Sequence, residues 1–445
     1  MNNDTIVAIA TPMGVGGIAV VRVSGPKALQ IVMRYIGVDT LPPRQAVYCR
    51  FTQGKDFLDD GIAVYFSAPH SYTGEDVVEY SCHGSQYVQQ AILNALIGSG
   101  ARMATPGEFT LRAFRNGKLN LSQAEAVADL IDAVTPVQHR LAVSQLRGGY
   151  AQKLQELRKQ LLDLTSLLEL ELDFSQEDVE FADRHNLRGL IATLRSQLDM
   201  LLDSFAAGNA LKQGVPVAIV GAPNVGKSTL LNALLGDERA IVSAIPGTTR
   251  DTVDALLNIE GITFRLIDTA GMHQTDDEVE QLGIMRSRKA YEEADIIVEV
   301  WDASAPVNYM DGTCHKDGKR HIRVINKCDL KEVALDCDGQ QVGDTHIVCT
   351  SAKNGEGIEQ LKKAIAAIAP QLASEILLTN PRHREALSRV SEALKLAGDG
   401  LASGTPADLV AVDLRDALYH LGTITGEVAN DEVLSNIFSR FCVGK

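Results

Sequence analysis

The sequence predicts a multidomain chain: an α+β N-terminal domain, an all-α helical domain, and an α/β domain inserted into the helical one. Three observations predict it. From Thr5 to about Tyr80, short runs alternate apolar and polar residues between Gly-rich turns, as in "IVAIATPMGVGGIAVVRVSG". From Ser122 to about Leu172, and again from Pro381 to Phe438, Ala, Leu, Gln and Glu recur at helical spacing. From Val215 to about Ile368, buried-strand text alternates with helical text, the pattern of a parallel sheet wound by helices.

The 445 residues suffice for two to four domains with cores of their own. We set the bounds at 1–118, at 119–210 plus 374–445, and at 211–373. Within the first domain, a helix is expected near Pro26 to Tyr35 and a second one after His83 through "SQYVQQAILNALIGSG". In the second, sparse Gly and Pro imply long helices, and Leu154, Leu157, Leu161, Leu164 and Leu168 form one stripe. The stripe fits an oligomer seam or packing within a bundle; the scarcity of flanking charge pairs favours the bundle. Acidic text from Asp173 to Asn186 interrupts the helices, and another runs to about Ala206. Helical text on both sides of the α/β block indicates an insertion, which exposed sites with adjacent ends tolerate best.

Composition excludes several classes. No apolar run approaches the roughly 18 residues of a membrane span. The start "MNNDTIVAIATPMGVGG" lacks the basic n-region of a signal peptide. Seven scattered cysteines without CxxC spacing fit a reducing cytoplasm. The net charge of -15 is uneven: residues 1–118 hold 10 basic and 9 acidic side chains, whereas 211–373 hold 17 and 24. A sequence-blind grip on nucleic acid over the whole surface is therefore not expected, and any RNA contact is local or shared with a partner.

"GAPNVGKST", Gly221 to Thr229, matches G-x-x-x-x-G-K-[ST] between a strand and a helix. In that context Asn224, Val225, Gly226 and Thr229 belong to a backbone cradle for phosphates, Lys227 reaches the β and γ oxygens as a binding and catalytic group, and Ser228 binds Mg²⁺. A second segment, Ser243, Ala244, Ile245, Pro246, Gly247, Thr248 and Thr249, reads as a first switch, with Thr249 as a Mg²⁺ ligand. Asp268, Thr269, Ala270 and Gly271 follow a strand and supply a metal-linked acid and a γ-phosphate sensor. In "NKCD", Asn326, Lys327 and Asp329 end another strand, where Asp329 accepts from guanine N1–H and the exocyclic amine. Ser351, Ala352 and Lys353 offer a backbone N–H to the guanine oxygen. Together the set specifies GTP over ATP in an α/β P-loop GTPase (Ras-like) domain.

One position stands apart. Met272 occupies the place where many GTPases carry a water-positioning glutamine, while Asp276, Asp277, Glu278 and Glu280 lie just downstream. A carboxylate from this group would meet the need to place the water, although a solvated charged loop accounts for most of the four.

Taken with "SYTGEDVVEYSCHG", "TPGEFTLRAFRNGKLNLSQAEAVADLIDA", "DEVEQLGI" and the terminal "FCVGK", these segments resemble the MnmE (TrmE) family of tRNA-modification GTPases from end to end. The resemblance implies that Glu280 orients the attacking water, and that K⁺ bound by Asn224, Ser243, Ile245 and Thr248 supplies the charge of an arginine finger. It implies an N-terminal domain of the folate-binding, T-protein-like fold, with Arg22, Glu79, Lys118 and Lys445 on a reduced folate (5-formyl- or 5,10-methylene-tetrahydrofolate). Read as isolated charges, these four would pass as surface. Cys442 would read as a small buried hydrophobe, and the resemblance places it near the folate.

The family adds a carboxymethylaminomethyl or aminomethyl group to C5 of the wobble uridine of certain tRNAs. It does so as a homodimer through the N-terminal domain and as a heterotetramer with a flavin-dependent partner, MnmG or GidA, which alone carries FAD. A ribosome-assembly GTPase of the Era or Der type would append a KH module or repeat the G domain, and neither is visible here. A GTP-controlled scaffold without one-carbon chemistry stays open at this point.

Overall fold

The structure, a computed structural model, describes residues 4–12, 14–173, 184–236, 255–267, 290–304, 319–330, 341–342, 345–369, 377–428, 430–439 and 441–444. By packing, the chain forms two compact units. One holds Met1–Asp132, Val143–Arg195 and Ala386–Lys445, and the other holds Ala133–Ala142 and Ser196–Glu385.

The first unit begins with a six-stranded sheet of β1 (Ile6–Ile9), β2 (Gly16–Ser24), β3 (Ala46–Gln53), β4 (Asp56–Phe66), β5 (Val77–Gly84) and β6 (Arg102–Met103), in the order β3-β4-β5-β2-β1-β6. The strands alternate as their text predicts. Val21, Val23, Ala63, Val78, Tyr80 and Cys82 turn to one face, where α1 (Ala28–Val32) and α2 (Gln86–Gly98) bury them with Ile31, Ile92 and Leu96. The other face carries Tyr48 and Ile62, opposed across β3 and β4 and 66% and 44% exposed. Arg22 and Glu79 lie on that same face, because β2 and β5 pair them directly.

Helix α1 is shorter than the expected Pro26–Tyr35. The Tyr35 carbonyl is taken by the N–H and hydroxyl of Thr52 in β3, at 2.8 and 3.3 Å, which draws the chain out of the helix. The Tyr35 ring then stacks on Phe51, with centroids 5.0 Å apart.

After α3 (Glu108–Arg115), the helical text beyond Lys118 divides more often than expected, into α4 (Leu121–Asp132), α5 (Pro136–Leu146) and α6 (Gly149–Asp173), followed by α7 (Arg184–Asp203) and α8 (Phe205–Gln213). The breaks fall where the few helix-breaking residues sit. Pro136 opens a helix at the position that tolerates its missing N–H, and Gly148 adopts φ 88°. All five leucines of the stripe are at most 2% exposed. They pack within the chain, in the same unit as the buried face of the later helix Ala407–Thr425 (Val410, Leu414, Ala417, Leu421), so bundle packing prevails over an oligomer seam.

In the second unit, β7 (Val215–Val220), β8 (Ala255–Ile259), β9 (Ile262–Leu266), β10 (Ile296–Asp302), β11 (Arg320–Asn326), β12 (Gln341–Val342) and β13 (Thr345–Cys349) make a sheet in the order β12-β13-β11-β10-β7-β9-β8. Its five central strands are parallel, as expected, and both edge strands are antiparallel. The β8–β9 edge is a hairpin whose two loop residues, Glu260 and Gly261, both have positive φ, 51° and 83°, the requirement of a tight type I′ turn. Helices α9 (Lys227–Leu235) and α10 (Ile358–Ala367) cover the sheet through Leu230, Leu234, Leu361 and Ile365. Residues 133–142, 196–210 and 377–385, assigned by sequence to the helical domain, fall in this unit, where Val137, Leu141 and Leu377 cluster with Leu211 against Ile262.

The chain continues through α11 (Pro381–Ser403), α12 (Ala407–Thr425) and α13 (Asp431–Phe438). In α13 the Asn430 side chain accepts the Glu432 N–H and caps the helix. Among the described residues, no helix is long and apolar enough to cross a membrane.

Leu161 sits mid-stripe at 1% exposure. Leu161→Ala is expected to destabilise the protein by about 2–5 kcal/mol, measured by urea unfolding followed by circular dichroism. A loss below about 1 kcal/mol, the range of a surface change, would contradict the packing described.

Candidate functional site

The parallel core brings the C-terminal ends of β7, β10 and β11 to one edge of the sheet, the place where open α/β sheets bind ligands. The register sets Val220 beside Glu299 and Asp302 beside Asn326. The phosphate loop leaves β7 at Gly221, where a Cβ would collide with the Val300 carbonyl. It turns through Asn224 at φ 62° and enters α9 from Gly226, whose αL conformation (φ 98°) caps the helix. A Cβ at Gly226 would collide with the Asn326 amide nitrogen.

Asn326 is 2% exposed and joins three segments. Its NH₂ donates to the Val225 carbonyl at 2.9 Å, and its oxygen accepts the Ala352 N–H at 3.0 Å and the Thr350 hydroxyl at 3.2 Å. The next residue, Lys327, takes φ 65° and spans the loop, donating to the Asn224 carbonyl and to Asp302, both at 2.7 Å. Hydrogen bonds from Lys327 and Ser304 hold the Asp302 carboxyl down at about 2. The exposed Asp329 receives the Ser351 hydroxyl at 2.7 Å, which fixes one of its oxygens.

Lys227 donates to the Gly221 and Ala222 carbonyls at 2.9 and 2.8 Å, and burial lowers its pKa. The Asn224 side chain and the Ser228 hydroxyl make no hydrogen bond among the described residues. The exposed Thr229 follows in the first turn of α9. Because Ala352 N–H is committed to Asn326, the exposed Lys353 carries the N–H of that segment without a partner among the described residues. Ser243 to Thr249, Asp268 to Gly271, Glu280 and Lys445 lie outside the described residues.

Asp302, Ser304 and Thr350 were missed in the sequence. The signal for Asp302 was an acid closing the buried run "IIVEVWD". The other two carry no comparable mark.

A second cluster stands on the face of the N-terminal sheet opposite α1 and α2. Arg22 Nε donates to Glu79 at 2.8 Å, and Nη1 donates to the Gly444 carbonyl of the chain's own tail at 3.3 Å. The guanidinium lies 5.6 Å from the Tyr72 ring and 5.7 Å from the Phe109 ring. Lys118 is not part of this contact set. Its ammonium donates to the Pro69 carbonyl at 3.0 Å, and it lines an open cleft of about 380 Å³ with Asn120, Gln123, Gln155 and Glu427. Cys442 is exposed, not buried as its residue type suggested, and its carbonyl accepts the Gly107 N–H at 3.4 Å.

Beneath the cluster, Arg112 bonds Asp4, Glu75 and Glu108, and Arg102 bonds Asp4 and Glu108. Burial works to raise the Glu108 pKa, but hydrogen bonds from Arg102, the Thr105 N–H and Arg112 hold it at about 2. The Glu108–Arg112 pair, at i,i+4 in "GEFTLR", was legible as helix support and was not read as a network.

Comparison with known proteins agrees across the whole length. A family profile described as "GTP-binding protein TrmE N-terminus" matches residues 5–118, and one described as "MnmE helical domain" matches residues 121–442. A protein of Parabacteroides distasonis named tRNA modification GTPase MnmE is 47% identical over 460 residues, covering 99% of this chain and 100% of its own. One of Christiangramia forsetii with the same name is 44% identical over 476 residues, covering 100% and 99%. Among solved structures, the G domain of the T. maritima FeoB iron transporter matches 34% of this chain and 97% of its own at 27% identity, with a TM-score of 0.23.

The Gly226 collision gives a direct check. Gly226→Ala is expected to lower GDP affinity by about tenfold or more, the consequence of overpacking at a strained φ, in a fluorescent-nucleotide titration. Gly189→Ala, on a helix surface with open space around it, serves as the neutral control. Equal affinities for the two variants would refute the proposed close approach.

Proposed function

The chain belongs to the MnmE family of tRNA modification GTPases, and from that membership we propose that it hydrolyses GTP in the course of modifying tRNA, at C5 of the wobble uridine. The observation that carries the reading is the tie of Asn326 to both Val225 and Ala352, which fixes a guanine-reading loop against a phosphate loop.

In this reading Asp329, already oriented by Ser351, accepts from the guanine N1–H and amine. Lys227 exchanges the Gly221 and Ala222 carbonyls for β and γ oxygens, and the first amides of α9 face the phosphates. Glu280 orients the water in place of the glutamine that Met272 lacks. Mg²⁺ on Ser228 and Thr249, and K⁺ on Asn224, Ser243, Ile245 and Thr248, would offset the charge that develops at the β–γ bridge. The oxygens of Asn224 and Ser228, without a hydrogen bond among the described residues, support both assignments.

We assign the N-terminal cluster to a reduced folate, whose role when bound is to donate a one-carbon unit. Glu79 suits the amide and amine edge of a pterin, Tyr72 and Phe109 offer flat apolar faces, and Lys118 and Lys445 suit the glutamate carboxylates. Arg22 holds Glu79 in place and ties it to the tail. The three-domain division at 1–118, 119–210 plus 374–445, and 211–373 is part of this proposal, as are the homodimer and the heterotetramer with an FAD-bearing MnmG-type partner. The open sheet face with Tyr48 and Ile62 supports pairing through the N-terminal domain.

Two measurements test the reading. GTP turnover is expected to be fast in KCl and slow in NaCl, and Glu280→Ala is expected to lose about 10²–10³-fold in turnover while still binding GTP. An Ala variant with wild-type turnover would remove Glu280 from the mechanism. Titration with 5-formyltetrahydrofolate is expected to saturate for the wild type and to fail for Arg22→Ala and for deletion of Lys445. Absence of binding in a protein that hydrolyses GTP would redirect the reading to a GTP-controlled scaffold.

A further inference from the structure

Two thiols flank the guanine-reading segment, and the function proposed above uses neither. Cys328 lies between Lys327 and Asp329, and Cys349 closes β13. Strands β11 and β13 are parallel, with Ile325 opposite Cys349. Beyond the strands the ladder continues: Thr350 N–H donates to the Ile325 carbonyl at 2.8 Å, and Cys328 N–H donates to the Thr350 carbonyl at 3.1 Å. The Cys328 S–H bonds that same Ile325 carbonyl, which brings its sulfur beside the Cys349–Thr350 peptide whose N–H the carbonyl accepts.

The side chains agree with the backbone. Both cysteines pack against one small cluster of Ala303, Ile325 and Ile347, so both project to the same side of the sheet. The Cys328 S–H donates back to the Ile325 carbonyl at 3.2 Å. Both residues are half-buried, and both are thiols.

We infer that Cys328 and Cys349 form a reversible thiol–disulfide pair that lowers guanine-nucleotide affinity when oxidised; the inference rests on the guanine site described above. The oxidant is a low-molecular-weight disulfide such as oxidised glutathione. One cysteine thiolate attacks a glutathione sulfur and releases one glutathione thiolate. The second cysteine thiolate attacks the cysteine sulfur of that mixed disulfide and releases the other. Two protons and two electrons leave the pair, and one disulfide becomes two thiols.

The consequence for binding follows from position. The new bond fixes the sulfurs at about 2.0 Å and draws residue 328 toward β13. Lys327 at φ 65° leaves little slack on one side. On the other, Asp329 must move relative to Ser351, which now sets its carboxylate. In reducing compartments disulfides are mostly transient and redox-sensing, which suits a reversible device.

The test uses the full chain, equilibrated in graded mixtures of reduced and oxidised glutathione. GDP affinity is read with a fluorescent analogue, and linkages are mapped by peptide mass spectrometry without reductant. The expected result is a Cys328–Cys349 linkage with an affinity loss of about tenfold, the scale of one misplaced charged hydrogen bond, reversed by dithiothreitol. Cys349→Ser should bind GDP as the reduced wild type does and should not respond to oxidation. Linkage through other cysteines, no linkage, or unchanged affinity at full linkage would overturn the inference. Failure of the reduced wild type to bind GDP would instead defeat the guanine reading itself.

Discussion

The nucleotide unit depends on one buried amide. Asn326 sits at the end of a central strand, and its side chain satisfies the Val225 carbonyl, the Ala352 N–H and the Thr350 hydroxyl together. An unmet buried donor or acceptor costs about 1–3 kcal/mol, so the three segments hold one arrangement because only that arrangement leaves none unmet. Gly226 belongs to the same constraint, since only a residue without a Cβ fits against the amide nitrogen. The two loops of the candidate nucleotide site are thus placed by the same few atoms.

The N-terminal cluster follows the same logic with charges. Arg112 is nearly buried, and such a cation is tolerable only when paired and hydrogen-bonded; Asp4, Glu75 and Glu108 do both. The network anchors α3, from which Phe109 reaches the Arg22 guanidinium. The tail completes the arrangement: Phe441 packs with Phe438 and Leu121, and the backbone of Gly444 lies so close to Ile9 that a Cβ would collide. Residues more than 400 positions apart in the chain therefore meet at one guanidinium.

Both sites hold polar groups that already have partners. Lys227 is bonded to loop carbonyls, Lys327 to Asp302, and Glu79 to Arg22. A ligand at either place exchanges one set of hydrogen bonds for another, so its net gain per bond is modest, about 0.5–1.5 kcal/mol. In the proposed reading, selectivity rests on geometry, because the Asp329 oxygen is fixed by Ser351 and the end of the phosphate loop by Asn326.

Local sequence determined a good deal. The phosphate loop, the guanine motifs, the buried strands and the Leu154–Leu168 stripe were all legible, because each is set by residue types at fixed short spacings. Even the helix breaks at Pro136 and Gly148 were written in the chain. Tertiary structure alone decided the rest. Asp302 acquires its role through its register partner Asn326, which no local pattern encodes. The helix Phe205–Gln213 packs in the nucleotide unit because its Leu211 finds Ile262, not because its helical text differs from what precedes it. Lys118 stands apart from Arg22 and Glu79 in the contacts it makes, although all three share one motif-bearing domain. Spacing along a chain fixes which face a side chain takes, whereas which other face it meets depends on long-range packing.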